Sequence, residues 1–101
     1  MAKIGLSSKD ILLLKRTLTG DYEVILFGSR VNGTWRKFSD LDICLRAKHK
    51  IDMAEISRLT EEFETSELTF TVDLIDYARC DTSFQSKIDK TGINLDDIAT
   101  L

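Results

Sequence analysis

The sequence predicts a single α/β domain: a small mixed sheet of three to four strands with helices packed on one face. Three features of the chain point to it. Val24-Ile25-Leu26-Phe27 is a short, near-continuous apolar run, the pattern of a strand buried on both faces in the middle of a sheet. Leu41, Ile43 and Leu45 alternate with Asp40, Asp42 and Cys44, so a second strand buries one face and opens the other. Apolar stripes at helical spacing precede the first strand and follow the second. At 101 residues the chain holds one core and no second, so residues 1–101 form one domain. Hydrophobic residues at 43% and charged residues at 31% fit a water-soluble globular protein. No apolar run approaches a membrane-spanning length, and Met1 to Leu6 lacks a signal-peptide core, so no membrane and a cytoplasmic location are expected. Cys44 and Cys80 then read as two free thiols in a reducing compartment.

Taken in order, Ser7 with Asp10 three residues later is a capping-box pattern, and Ile11, Leu14 and Leu18 give the first helix its buried stripe before Gly20. The first strand is expected over Tyr22 to Phe27. A short helix over Ser29 to Asn32 follows, and Gly33 relaxes the backbone before Trp35, which either anchors the loop or touches a base or partner. The second strand runs from Asp40 to about Arg46, and Lys48-His49-Lys50 is a solvated loop. Asp52 and Glu55 start another helix whose stripe is Met53, Ile56, Leu59 and Phe63, with acids on its water-facing side. In the third strand, Phe70, Val72, Leu74 and Asp76 share one parity while Thr71, Asp73 and Ile75 share the other; Asp76 at the strand end suits a turn. A helical crossover between the second and third strands favours parallel pairing. Thr82 with Gln85 can cap a last helix bearing Phe84 and Ile88 and stopping near Gly92. The tail Ile93 to Ile98 either packs or lies free.

The chemistry sits between the first two strands, in Gly28-Ser29-Arg30-Val31-Asn32-Gly33 and Ser39-Asp40-Leu41-Asp42. A Gly-Ser turn leaving a strand and opening a helix offers backbone N–H groups to an anion, which suits a phosphate. Asp40 and Asp42 stand two apart on a strand, so both project from one face, about 6–7 Å apart along the chain. Two carboxylates so placed repel unless a cation lies between them, and oxygen donors favour Mg²⁺ shared with substrate phosphates. A net charge of −3 argues against a large nucleic-acid footprint, and no direct nucleic-acid binding is expected. Arg30, Arg36, Lys37, Arg46, Lys48 and Lys50 nevertheless outnumber the acids around the motif, which suggests a local basic rim for a triphosphate.

Gly28-Ser29 followed by Asp40-x-Asp42 resembles the nucleotidyltransferase superfamily typified by DNA polymerase beta. More narrowly, it is similar to the minimal nucleotidyltransferases that serve as antitoxins in HEPN/nucleotidyltransferase pairs. The resemblance covers Val24 to about Tyr77 and implies a third carboxylate on a later strand, for which Asp73 is the matching residue. It also implies ATP as substrate and two Mg²⁺ ions held by Asp40, Asp42 and Asp73. Asp73 would stand nearest the attacking hydroxyl. Gly28 and Ser29 would hold phosphates, with Arg30 and Lys37 at the phosphate rim and outward solvation the alternative for both.

Three carboxylates, a phosphate cradle and their core use most of the chain, so the acceptor is expected on another molecule. The resemblance names a HEPN-domain toxin whose tyrosine receives AMP, giving a hetero-oligomer, with a homodimer also open. Trp35, Leu95 and Ile98 are candidate contacts for it. The competing readings are a nucleotide-binding antitoxin that neutralises by contact, an enzyme with a small-molecule acceptor, and three aspartates acting only as strand-edge solubility charges.

Overall fold

The computed structural model describes residues 5–33 and 39–98. Its first helix, α1 (Ser8–Thr17), starts where the capping box places it: Ser7 Oγ accepts from the Asp10 amide at 3.1 Å, and Asp10 Oδ2 accepts from the Ser7 amide at 3.1 Å. Strand β1 (Glu23–Phe27) leads into the four-residue helix α2 (Ser29–Asn32), and β2 spans Leu41–Arg46. Asp52 caps α3 (Met53–Glu64) by accepting from the Ala54 amide at 3.0 Å. After it come β3 (Val72–Asp76), a 3-10 turn at Tyr77–Arg79, α4 (Thr82–Thr91), the two-residue strand β4 (Ile93–Asn94) and a second 3-10 turn at Leu95–Asp97.

The four strands lie in the order β3-β2-β1-β4. Strand β1 is antiparallel to both β2 and β4, while β2 and β3 run parallel, joined through α3 as a crossover requires. The sheet is therefore mixed. Because β1 is internal, both of its edges are paired, and with helices over both its faces Val24 to Phe27 are all buried.

Strand parity divides the core in two. Val24, Leu26, Leu41, Ile43 and Leu45 face α1 and α3, whose Leu14 and Leu59 have no exposed surface. Burying a side chain of this kind contributes about 1.5–3 kcal/mol, so this layer holds the sheet flat against its helices. The opposite face is not left bare, as helices on one face alone would leave it. Helix α4 packs on it through Ile88, over Ile25, Phe27 and Cys44, with Phe84 edge-on to Phe27 at 5.8 Å. Coverage stops short of Asp42 and Asp73, which share that face.

Three further details depart from the sequence reading. Met53 is half exposed, so the buried stripe of α3 is carried by Leu59 and Phe63. The cap of α4 is Asp81, accepting from the Phe84 amide at 2.8 Å, and Gln85 instead donates to the Tyr77 carbonyl at 2.8 Å. The tail packs. Leu95 is 2% exposed in the main core, Ile98 lies partly buried against that core, and β4 adds a strand to the sheet, so Leu95 is not a partner surface. Asp76 is buried and serves its turn fully, accepting from the Ala78 amide, the Ile51 amide and the Arg79 guanidinium. Among the described residues no helix is long and apolar enough to cross a membrane.

Candidate active site

Strand β1 ends at Phe27, whose register partner on β2 is Asp42. The next residue, Gly28, has φ +85° and ψ −157°, a conformation that L side chains rarely adopt. A Cβ there would also collide with Asp42 Oδ2. Glycine is required twice over, for the turn and for the close approach of a carboxylate. The Gly28 carbonyl accepts from the Val31 and Asn32 amides at 3.1 and 3.0 Å, which starts α2. Gly33 ends it in the left-handed region at φ +83°. The first turn of a helix carries N–H groups without intrahelical acceptors, and here that turn, Gly28-Ser29, opens beside Asp42.

The second strand begins beside this turn, its Leu41 amide donating to the Thr71 carbonyl at 2.8 Å to open the ladder with β3. In that ladder Asp42 is directly opposite Asp73. Neighbouring strands lie about 4.8 Å apart, and residues in register share a face, so these two carboxylates are lateral neighbours. Asp40, two residues before Asp42, projects from the same face. Asp40 and Asp73 are exposed and Asp42 is half-buried.

The electrostatics record the crowding. Burial pushes the Asp42 carboxyl above the usual range, and the negative charges of Asp73 and then Asp40 push it the same way. A half-buried carboxylate raised by two like neighbours is a site prepared for positive charge. Among the described residues no three His, Cys, Asp or Glu side chains are already closed into a metal cage. Mg²⁺ does not need one, since it binds through one or two carboxylates and takes its other ligands from water and phosphate. An all-oxygen donor set with a desolvated carboxylate at its centre fits that ion.

The sheet thus brings together Asp40, Asp42, Asp73, Gly28 and Ser29. Among the described residues it does not bring Arg30, Arg46 or Lys48 to a basic rim. Arg30 is 1% exposed, neither at a phosphate rim nor in solvent: its Nε donates to the Ser39 carbonyl at 3.1 Å and its Nη1 to the Gly5 carbonyl at 3.0 Å. A guanidinium can be buried when carbonyls replace its water, and nothing in the local spacing of the sequence signals that they do. Arg46 lies at the far end of β2, paired with Glu23 and Asp89, and Lys48 follows beyond it. Trp35, Arg36 and Lys37 lie outside the described residues.

The family profile described as polymerase beta, nucleotidyltransferase matches residues 14–98. The chain belongs to this nucleotidyltransferase family. It is 35% identical to a probable protein adenylyltransferase, MntA, of Haemophilus influenzae, over 91% of this chain and 83% of that protein. Among solved structures it is similar to a toxin–antitoxin crystallised with AMP-PNP, with a TM-score of 0.70 and 27% identity over 89% of this chain and 73% of the other. The toxin–antitoxin MntA-HepT shares the fold, with a TM-score of 0.60 and 24% identity over 87% of this chain and 68% of the other. In this member of the family Asp42 and Asp73 lie opposite each other on β2 and β3, with Asp40 just ahead of β2.

Proposed function

We propose that this nucleotidyltransferase moves AMP from ATP onto a tyrosine hydroxyl of a partner toxin of the HEPN class and so silences it. The observation that carries this is the register of Asp42 against Asp73, with Gly28 packed on Asp42 and Asp40 close by, which supports assigning the acids to the metal and the Gly28-Ser29 turn to the phosphates. The similarity to a protein adenylyltransferase and to a toxin–antitoxin with AMP-PNP supports both substrate and partner. ATP supply and the free thiols Cys44 and Cys80 suit the cytoplasm.

The acceptor oxygen attacks the α-phosphorus in line, a new P–O bond forms, the bond from the α-phosphorus to the β-bridging oxygen breaks, and pyrophosphate leaves. Gly28 and Ser29 hold the β and γ phosphates through backbone N–H and hydroxyl, fixing the α-phosphorus over the sheet edge. Asp40 and Asp42 would hold Mg²⁺, with Asp73 completing the set. When bound, the divalent ions neutralise the triphosphate and the departing pyrophosphate and lower the pKa of the acceptor hydroxyl. An Asp73 Oδ accepts the proton that the hydroxyl releases, since Asp73 is the exposed acid of the lateral pair.

The test is to purify the chain with the product of its neighbouring gene, add Mg²⁺ and each α-phosphate-labelled NTP in turn, and follow the label. Label from ATP should appear on the partner's tyrosine. A partner that is silenced but never labelled by any nucleotide makes the chain a contact-only antitoxin.

A further inference from the structure

Arg30 is placed where no nucleotide contact explains it. It belongs to α2, one residue after the Gly28-Ser29 turn, and is 1% exposed. From there its guanidinium reaches three separate segments among the described residues. Nε donates at 3.1 Å to the carbonyl of Ser39, the residue before Asp40. Nη1 donates at 3.0 Å to the carbonyl of Gly5, ahead of α1. The guanidinium plane lies over the Phe70 ring at 4.2 Å, two residues before β3 and three before Asp73. One side chain therefore ties the phosphate turn to the start of the Asp40-Leu41-Asp42 strand and to the approach of the Asp73 strand.

We infer that Arg30 is a positioning residue for nucleotidyl transfer, setting the distance between the Gly28-Ser29 turn and the three carboxylates without itself touching the nucleotide. Ser39 is bonded directly to Asp40, so fixing its carbonyl fixes where the first acid leaves the loop. Among the described residues, hydrogen bonds in two directions plus the contact with the Phe70 ring restrain both translation and rotation of that junction. Lysine cannot substitute, because an ammonium is a point donor without a plane to stack or a fork to divide between two carbonyls. Misplacement of about 1 Å at the reacting atoms costs about a hundredfold in rate, so this restraint bears on turnover more than on binding.

The inference rests on nucleotidyl transfer at the three aspartates, and one arm of its test does not need the acceptor. Arg30→Lys is compared with wild type in the full chain by amide hydrogen exchange, ATP·Mg²⁺ affinity and label transfer to the partner. The Leu41 amide, which donates to Thr71, should exchange at least about tenfold faster, while Ile25 and Leu26 in the middle of β1 keep their protection. Affinity for ATP·Mg²⁺ should stay within about threefold as kcat falls at least about tenfold. Uniformly faster exchange would make Arg30 a general stabiliser and overturn the inference. Affinity lost about tenfold or more, with exchange unchanged, would make it a phosphate ligand and overturn it equally. If Arg30→Lys does not fold, Phe70→Leu decides: removing the stacking surface alone should loosen Leu41 and lower kcat in the same direction, and an unchanged kcat and Leu41 exchange would sink the idea. The exchange result holds even if the toxin proves not to be the acceptor.

Discussion

The same face of β2 carries opposite electrostatics at its two ends. At one end Asp42 lies between Asp40 and Asp73, three like charges with Gly28 pressed against the middle one. Four residues on, about 13 Å along the strand, Arg46 is held by Glu23 at 3.0 Å and Asp89 at 2.8 Å. Tyr77 donates to the same Asp89 at 2.8 Å, and Asn94 to Glu23 at 3.3 Å. Between the two ends Cys44 is wholly buried, and burial pushes its thiol up to about 12, which keeps it neutral and inert. One end closes its charges internally and joins β1, β2, β4, α4 and the turn after β3. The other leaves them open to a ligand. In the proposed function, stability and chemistry belong to different ends of one strand, and substitutions at each end should fail differently.

The largest effect belongs to the acid end. The Asp40→Asn, Asp42→Asn double variant should lose label transfer by more than about a thousandfold, together with stabilisation by ATP·Mg²⁺. Its own stability should rise, by up to about 1 kcal/mol in urea unfolding, because like charges and a desolvated carboxylate are removed. A variant that responds to ATP·Mg²⁺ as wild type does would detach these carboxylates from the metal. Asp73→Asn comes next: transfer should fall at least about a hundredfold, while ATP·Mg²⁺ binding stays within about tenfold, near 1.4 kcal/mol. Transfer that survives this substitution nearly intact removes Asp73 from the chemistry.

At the paired end the pattern should reverse. Arg46→Ala should leave kcat within about twofold of wild type and cost about 1 kcal/mol of stability, since the pairs are partly exposed but form a network. Added salt should shrink that cost. A large loss of transfer in Arg46→Ala would merge the two ends into one unit.

The smallest effect is a pH dependence. An acid whose folded pKa exceeds its unfolded one binds its proton more tightly when folded. The Asp42 contribution to stability therefore falls as pH rises from the ordinary aspartate range through its raised value, and stays lost above it. Asp42→Asn has no such decline, so its stability advantage should widen over that interval and then stay constant. Stabilisation of the wild type by Mg²⁺ should grow over the same interval, because the ion and the proton compete for one carboxylate. Parallel wild-type and variant stability curves across the acid range would contradict the raised carboxyl.

Much of this was legible in the chain, for local reasons. The capping box of Ser7 and Asp10 satisfies helix donors three residues apart, and the alternation of Leu41, Ile43 and Leu45 with the acids fixes which face each occupies. The parallel partner of β2 followed from the helical crossover, whereas Asp73 as third acid came with the family resemblance and only the observed register sets it opposite Asp42. What was not legible depended on distance through space. Arg30, Arg46 and Lys48 read as one basic cluster because they are close in sequence, yet a six-residue strand carries Arg46 to the far end, and Arg30 finds carbonyls from Gly5 and Ser39. Ile93-Asn94 is too short for any periodicity, so the fourth strand and the burial of Leu95 emerge only from pairing with β1. Helix α4 covers the second face because Phe27 and Cys44 point there, a demand visible in strand parity but not in which helix would meet it.

The most direct measurement is the intact mass of the partner toxin co-expressed with the wild-type chain or with Asp42→Asn. The wild type should leave an AMP-sized increment on the toxin, localised to a tyrosine by peptide fragmentation, and Asp42→Asn should leave none. A toxin that is neutralised by the wild type yet carries no added mass would contradict transfer at the acid end of the sheet.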